Sequence, residues 1–83
     1  MYVVYILFSA SLNKYYVGST QHLDTRLEEH NRGKSAFTKK GIPWKLIFTK
    51  ECLDRPEAIN LELKIKKRGI RRYLTDLNYR SEG

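Results

Sequence analysis

Cysteine and histidine are scarce in this chain of 83 residues, and their scarcity excludes several classes of protein. The single cysteine, Cys52, has no partner for an internal disulfide, so we expect a protein of the reducing cytoplasm. The two histidines, His22 and His30, stand roughly 12 Å apart along any helix, too far to share one ion. These three side chains cannot fill a structural zinc site without carboxylate ligands.

Long apolar runs are lacking as well. Residues 1–8 are apolar almost throughout, but the run is too short to cross a bilayer, and no basic leader or cleavage site accompanies it. We therefore expect no signal peptide and no membrane segment. A chain of 83 residues has room for one core, so residues 1–83 are expected to form a single domain with a shallow groove for any active site.

Acidic residues are outnumbered, because 16 Lys and Arg oppose nine Asp and Glu to give a net charge of +7. This surplus favours an anionic partner such as nucleic acid or an acidic lipid surface, although a charged run is often only a solvated face. No helix combines a basic face with a large aromatic one, so the lipid surface is the weaker alternative. The cations expected to contact nucleic acid are Lys14, Lys39, Lys40, Lys64, Lys67, Arg68, Arg71 and Arg72.

The hydrophobic pattern predicts three strands. Residues 1–8 are β-branched, aromatic or aliphatic, as in a central strand covered on both faces. Residues 14–18 resume strand character after a polar connection of hairpin length, and residues 44–51 alternate apolar and polar side chains. We expect the first two strands to pair antiparallel.

Apolar residues at helical spacing predict three helices. The first covers residues 21–31 and is followed by Gly33, where a left-handed C-cap belongs. The second begins after the capping residue Asp54 and ends at Gly69, and a short third helix follows. Residues 34–43 have no clear period and are interpreted as a loop. The predicted order is β-β-α-β-α-α, an α+β fold in which a three-stranded antiparallel sheet is flanked by about three helices.

Tyrosines recur in the predicted hairpin, and pairing of the two strands brings Tyr5 close to Tyr15 or Tyr16. Each ring taken alone is most simply explained by packing in a half-buried sheet. The first helix carries Arg26 and His30 on one face, because they are four residues apart. They are either an arginine reaching into solvent beside a histidine at the rim, or a phosphate ligand with a proton carrier beside it.

Glu62 lies next to the apolar stripe of the second helix. Its carboxylate has two interpretations. One is a salt bridge to Lys66 a turn later, and the other is a metal ligand that faces inward.

Taken in order, these residues resemble a known family. Val3-Val4-Tyr5 and Tyr16-Val17-Gly18 are followed by Arg26 with His30 and then by Glu62, and Tyr16 stands eleven residues after Tyr5 and ten before Arg26. The set resembles the GIY-YIG endonuclease superfamily over nearly the whole chain, and most of all its small stand-alone members. The resemblance implies that Tyr5, Tyr16, Arg26 and His30 are catalytic and that Glu62 binds the metal.

Two positions depart from the family pattern. The first half-motif reads VVY instead of GIY, which keeps the tyrosine. Ser19 stands where some members have a lysine that assists catalysis, and Lys14, Lys39 or Lys40 are candidates to replace that lysine.

The resemblance implies a metal-dependent DNA endonuclease that hydrolyses phosphodiester bonds, with Mg²⁺ or Mn²⁺ as cofactor and a role in DNA repair or recombination. Single-stranded, branched or duplex DNA is the implied partner, and phosphate contacts carry no sequence information, so we expect a preference for structure or strandedness. A free tyrosine has a pKa of about 10, so the tyrosine that acts as base is expected to have its pKa lowered by a nearby cation. The alternative function is a basic module that binds nucleic acid without cutting it.

Overall fold

The computed structural model describes residues 1–34, 36 and 38–82. Its elements follow the predicted β-β-α-β-α-α order, which confirms the α+β class. They are β1 (Tyr2–Ser9), β2 (Lys14–Thr20), α1 (Leu23–Asn31), a 3₁₀ turn (Lys39–Gly41), β3 (Trp44–Cys52), α2 (Arg55–Arg68) and α3 (Ile70–Glu82). The 3₁₀ turn falls within the loop predicted for residues 34–43, and positions 35 and 37 of that loop lie outside the described residues.

The three strands form one antiparallel sheet in the order β2-β1-β3, so the first strand is central as predicted. Tyr5 on β1 is directly opposite Gly18 on β2, and Leu7 is opposite Tyr16. This register places Tyr5, Gly18 and Tyr16 on the same face of the sheet, because side chains alternate between faces along each strand.

The two faces of the sheet are covered by different helices. Val4 and Ile6 pack against Ala58 and Ile65 of α2, and α3 completes that cluster. The alternate residues of β1 form a second cluster on the opposite face, where Tyr5, Leu7 and Trp44 pack against Leu23 and Leu27 of α1. The first helix, which bears Arg26 and His30, therefore lies over the face that carries Tyr5.

The helix ends agree with the sequence except at the start of α1 and at the end of α3, which has 13 residues where a short helix was predicted. Asp54 caps α2 by accepting a hydrogen bond of 3.0 Å from the Glu57 N–H. The helix ends before Gly69, which has φ of +92°. The first helix begins two residues later than predicted, because Thr20 Oγ1 accepts the His22 N–H in a turn that precedes the helix. In the part of the chain that the structure describes, no helix has the length and apolar content needed to cross a membrane.

Candidate active site

Tyr5 lies at the centre of the candidate site, with its ring stacked across Gly18 of the neighbouring strand. A methyl group at position 18 would meet the Tyr5 hydroxyl oxygen at 2.6 Å and Cζ at 2.8 Å, distances too short for carbon in a folded protein. The glycine of the second half-motif therefore leaves the space that the tyrosine of the first half-motif occupies. Tyr5 is 1% exposed as a result of this packing.

His30, in the last turn of α1, uses both ring nitrogens in buried hydrogen bonds. Its Nε2 is 3.1 Å from the Tyr5 hydroxyl and its Nδ1 is 2.8 Å from the Thr38 hydroxyl. The ring is 1% exposed, so the interpretation of His30 as a rim residue is wrong. A buried histidine between two hydroxyl groups can pass a proton from one nitrogen while the other holds the ring in place.

Arg26 lies one turn before His30 and approaches Tyr5 from the solvent side. Its guanidinium is close enough to the Tyr5 hydroxyl to lower the pKa of Tyr5, and it is 3.6 Å from the Glu29 carboxylate. The Arg26 side chain is 47% exposed. It lines a pocket of about 340 Å³ together with Glu29, His30 and Lys34.

Tyr16 contributes a half-buried ring to the same cluster. Its centroid is 6.4 Å from that of Tyr5 and 5.0 Å from that of His30, which it meets at 62°. Trp44 lies on its other side, at 6.3 Å. Tyr5 was predicted to lie close to Tyr15 or Tyr16, and the structure shows that Tyr16 is its neighbour.

Burial dominates the electrostatics of the Tyr5–His30 pair. Burial raises the pKa of Tyr5 above 10.0, and this effect outweighs the contact with Arg26, which acts in the opposite direction. The expectation that a cation leaves this tyrosine with a lowered pKa is therefore wrong for Tyr5. Burial, with a further contribution from the Arg26 charge, lowers the pKa of His30 below 6.5. Tyr5 is thus a neutral phenol and His30 a neutral imidazole at pH 7.

Glu62 is half-buried on α2, the helix that covers the opposite face of the sheet from Tyr5. Its carboxylate acts on the cluster through its charge, which makes a small contribution to the raised pKa of Tyr5. It forms no ion pair with Lys66 or with any other residue that the structure describes. Among the same described residues, no group of three His, Cys, Asp or Glu side chains could hold a metal ion with protein ligands alone. A single carboxylate is nevertheless the donor set that suits Mg²⁺, which keeps several waters and also binds substrate phosphate.

The predicted nucleic-acid ligands fall into two groups. Lys14, Lys39 and Lys40 are exposed at the start of β2 and in the 3₁₀ turn. The others lie at the junction of α2 and α3, where Lys64, Lys67 and Arg68 line a groove of about 720 Å³.

That groove contains none of the candidate catalytic side chains. Residues two apart on a helix point about 160° away from each other, which separates Lys64 from Glu62. Two arginines at the junction are already engaged within the chain. Arg68 makes a bidentate pair with Asp76, at 2.8 and 3.1 Å, and Arg71 lies 5.2 Å from the centre of the Tyr15 ring. Arg72 is exposed there and lines a smaller pocket beside them.

Several residues that build the site were not predicted. The lysine that lines the pocket with Arg26 and His30 is Lys34, instead of Lys14, Lys39 or Lys40. Thr38, the partner of His30, lies in the loop without a period, where no sequence signal identifies it. No sequence pattern identifies the hydrogen bonds by which Asn31 holds this loop in place either.

Asn31 connects the end of α1 to the start of β3. Its side chain accepts the Trp44 N–H at 2.6 Å and donates to the Trp44 carbonyl at 3.2 Å. The Trp44 ring in turn donates its Nε1–H to the Thr38 carbonyl at 2.6 Å. This chain of contacts fixes the loop against His30.

Comparison with known proteins agrees with this geometry. Residues 1–73 match the model of the GIY-YIG catalytic domain, so the chain belongs to the GIY-YIG family, a nuclease superfamily. The predicted family is therefore confirmed, and the candidate site falls within the matched residues.

The relatives found by sequence are UPF0213 proteins. The chain is 36% identical over 55 residues to one from Streptococcus pneumoniae, an alignment that covers 65% of this chain and 56% of that protein. It is 39% identical over 56 residues to UPF0213 protein YazA of Bacillus subtilis, covering 66% of this chain and 57% of the relative. The aligned region thus spans little more than half the length of these relatives.

One solved structure is similar throughout the fold. The solution NMR structure of a UPF0213 protein from Bacillus halodurans has a TM-score of 0.58 and 27% sequence identity, and the match covers 95% of this chain and 85% of the other. The fold predicted for this chain is therefore also seen in an experimentally solved relative.

Proposed function

We propose that this chain is a metal-dependent DNA endonuclease that hydrolyses phosphodiester bonds and prefers a structure or strandedness of DNA to a sequence. The observation that supports it most is the hydrogen bond of 3.1 Å between the Tyr5 hydroxyl and His30, within reach of the Arg26 guanidinium. Hydrolysis of a phosphodiester needs an acceptor for the proton of water and positive charge on the phosphate oxygens. The cluster offers both.

Tyr5 and His30 are proposed to accept the proton of the attacking water in sequence. The raised pKa of Tyr5 makes a free phenolate costly, so Tyr5 takes the water proton only as it gives its own to His30 Nε2. The lowered pKa of His30 keeps that nitrogen unprotonated at pH 7 and ready to accept. The hydroxide attacks phosphorus, the bond from phosphorus to the leaving oxygen breaks, and that oxygen takes its proton from solvent.

Arg26 is proposed to bind the phosphate and to open the site at the same time. Tyr5 is 1% exposed beneath Arg26, whose own side chain is half exposed. A phosphate competes with the Glu29 carboxylate and the Tyr5 hydroxyl for the guanidinium, whose planar fork matches two phosphate oxygens. When Arg26 turns to the phosphate, the Tyr5 hydroxyl becomes accessible. Lys34, in the same pocket, adds a second positive charge.

Glu62 is proposed to hold the divalent ion, Mg²⁺ or Mn²⁺. GIY-YIG nucleases are generally dependent on a divalent metal, and a half-buried carboxylate without an ion-pair partner among the described residues is suited to bind one. Such an ion would act as a Lewis acid and would stabilise negative charge on the phosphate and the leaving oxygen. The residues of this chain do the remaining work of orientation and proton transfer.

The basic residues are proposed to bind DNA through its phosphates, in the cytoplasm. About five phosphate contacts make the logarithm of affinity fall with the logarithm of salt concentration at a slope near −4.5. The groove between α2 and α3 holds none of the candidate catalytic side chains. Lys64→Gln and Lys67→Gln are therefore expected to weaken DNA binding and to leave the cleavage rate of bound DNA unchanged.

The decisive experiment compares cleavage of supercoiled, single-stranded and branched DNA with Mg²⁺, with Mn²⁺ and with chelator. Glu62→Gln should lower cleavage at least about 100-fold and spare most DNA binding. Glu51→Gln, which removes the same charge from an exposed position on β3, is the matched control and should cut normally. Cleavage that survives Glu62→Gln contradicts the metal assignment. Binding without cleavage of any substrate in either metal favours the non-catalytic module.

A further inference from the structure

Thr38 belongs to none of the sequence motifs, yet its hydroxyl lies at the back of the candidate site. The residue is 0% exposed, and Oγ1 is 2.8 Å from His30 Nδ1. It therefore touches the one ring nitrogen of His30 that does not face Tyr5.

The side chain of Thr38 is directed to His30 at the expense of its usual local role. Thr38 is the residue before the 3₁₀ turn, a position where a threonine hydroxyl commonly caps the exposed N–H groups. Here the side chain makes no capping hydrogen bond. The Thr38 carbonyl instead accepts the Gly41 N–H at 3.0 Å and the Trp44 Nε1–H at 2.6 Å. These backbone contacts hold the residue in place, so its hydroxyl is available to His30.

Hydrogen-bond chemistry around Tyr5 selects one tautomer of His30. Arg26 is close enough to lower the pKa of Tyr5, but a guanidinium has no lone pair and offers the Tyr5 proton no acceptor. The Tyr5 proton then needs an acceptor in a buried setting, and His30 Nε2 is within hydrogen-bonding distance of it. A neutral imidazole that accepts at Nε2 carries its proton on Nδ1, and that proton points to the Thr38 hydroxyl.

We propose that Thr38 is a positioning residue whose hydroxyl accepts the Nδ1–H of His30 and holds the ring with its Nε2 lone pair on the Tyr5 hydroxyl. The inference rests on the proposed function, because this orientation matters for activity only if Tyr5 and His30 move a proton. When the Tyr5 proton passes to Nε2, the ring becomes an imidazolium whose Nδ1–H still donates to Thr38. The threonine thus orients the ring before the transfer and stabilises it afterwards.

The tautomer can be measured without DNA or metal, by NMR of ¹⁵N-labelled histidine near neutral pH. His22→Gln removes the other histidine, which is exposed, so that every ring signal belongs to His30. The result expected is a protonated Nδ1 and an unprotonated Nε2. A protonated Nε2 would overturn the proposal whatever the protein does to DNA.

Two variants then separate positioning from structure. Thr38→Val keeps the shape and removes the hydroxyl, whereas Thr38→Ser keeps the hydroxyl, and both retain the carbonyl that Gly41 and Trp44 contact. We expect Thr38→Val to lose the NMR signal of a protonated Nδ1 and to cleave DNA at least about tenfold more slowly. Thr38→Ser should keep that signal and most of the cleavage rate.

An unchanged tautomer or an unchanged cleavage rate in Thr38→Val contradicts the positioning role. If the serine variant is as slow as the valine variant although its tautomer is normal, the hydroxyl is not what matters, and the proposal also fails. Failure of the unaltered chain to cut any DNA would overturn the proposed function itself. The tautomer measurement does not depend on cleavage, so the two failures can be told apart.

Discussion

Replacing Gly18 with alanine is expected to disable the Tyr5 hydroxyl through a single added methyl group. The new Cβ would lie 2.6 Å from the hydroxyl oxygen, whereas ordinary contact begins at about 3.4 Å, so one of the two atoms must move by roughly 0.8 Å. The pairing of β2 with β1 holds the backbone of Gly18, whereas the Tyr5 hydroxyl is the far end of a side chain. Tyr5 is therefore the group that shifts.

The shift is large compared with the tolerance of the hydrogen bond that Tyr5 makes. The bond to His30 is 3.1 Å long, and a separation of about 3.6 Å no longer counts as a hydrogen bond. Overpacking of a core costs about 1–3 kcal/mol of unfolding free energy, and general acid–base catalysis contributes about 100-fold or more to a rate. We therefore expect Gly18→Ala to lose about 1–3 kcal/mol of unfolding free energy and to cleave DNA about 100-fold more slowly or worse.

Urea unfolding and single-turnover DNA cleavage measure these two losses separately. Gly69→Ala is the control, because φ there is +92° but the nearest atom to an added Cβ is Arg72 Cδ at 4.0 Å. That variant should lose about 1–3 kcal/mol of stability through backbone strain and keep its cleavage rate. If Gly18→Ala cuts as fast as Gly69→Ala, the reasoning about Tyr5 is refuted.

Two other predictions concern the same cluster. The pKa of His30 is lower in the folded chain than in the unfolded chain, so the unfolded chain takes up a proton first as pH falls. The unfolding free energy should therefore be constant above about pH 7 and decline below about pH 6.5. Urea titrations across this range test it; His30→Gln should remove the decline, and a flat profile in the unaltered chain would count against the buried ring. Asn31→Ala removes both bonds to the Trp44 backbone and should cost about 1–3 kcal/mol by the same assay, whereas a loss under about 0.5 kcal/mol would mean that this brace is unimportant.

The sequence predicts most of the fold because its periods are strong. An almost continuous apolar run identifies β1 as a buried central strand, and the antiparallel pairing of β1 with β2 follows from the short connection between them. The same local logic brings Tyr5 near Tyr15 or Tyr16 and puts Arg26 and His30 on one helix face. Each of these relations depends on residues close in the chain or on a regular repeat.

The remaining parts of the site depend on tertiary contacts that no local period reports. Thr38 meets His30 because Asn31 and Trp44 hold an irregular loop in place. The direction of the Tyr5 pKa shift was predicted wrongly for a related reason, since the presence of Arg26 can be deduced from spacing but the depth of burial cannot. A cation and a low dielectric act in opposite directions on a phenol, and here burial is the larger effect.

The most direct test of the account is single-turnover cleavage by Tyr5→Phe, which removes one oxygen and keeps the ring that packs on Gly18. Loss of the water-to-His30 proton path predicts a rate at least about 100-fold lower in the presence of Mg²⁺, with DNA affinity unchanged. Tyr15→Phe, which removes a hydroxyl on the opposite face of the sheet, should cut at the rate of the unaltered chain. A Tyr5→Phe variant that also cuts at that rate would contradict the assignment of Tyr5 to the chemistry.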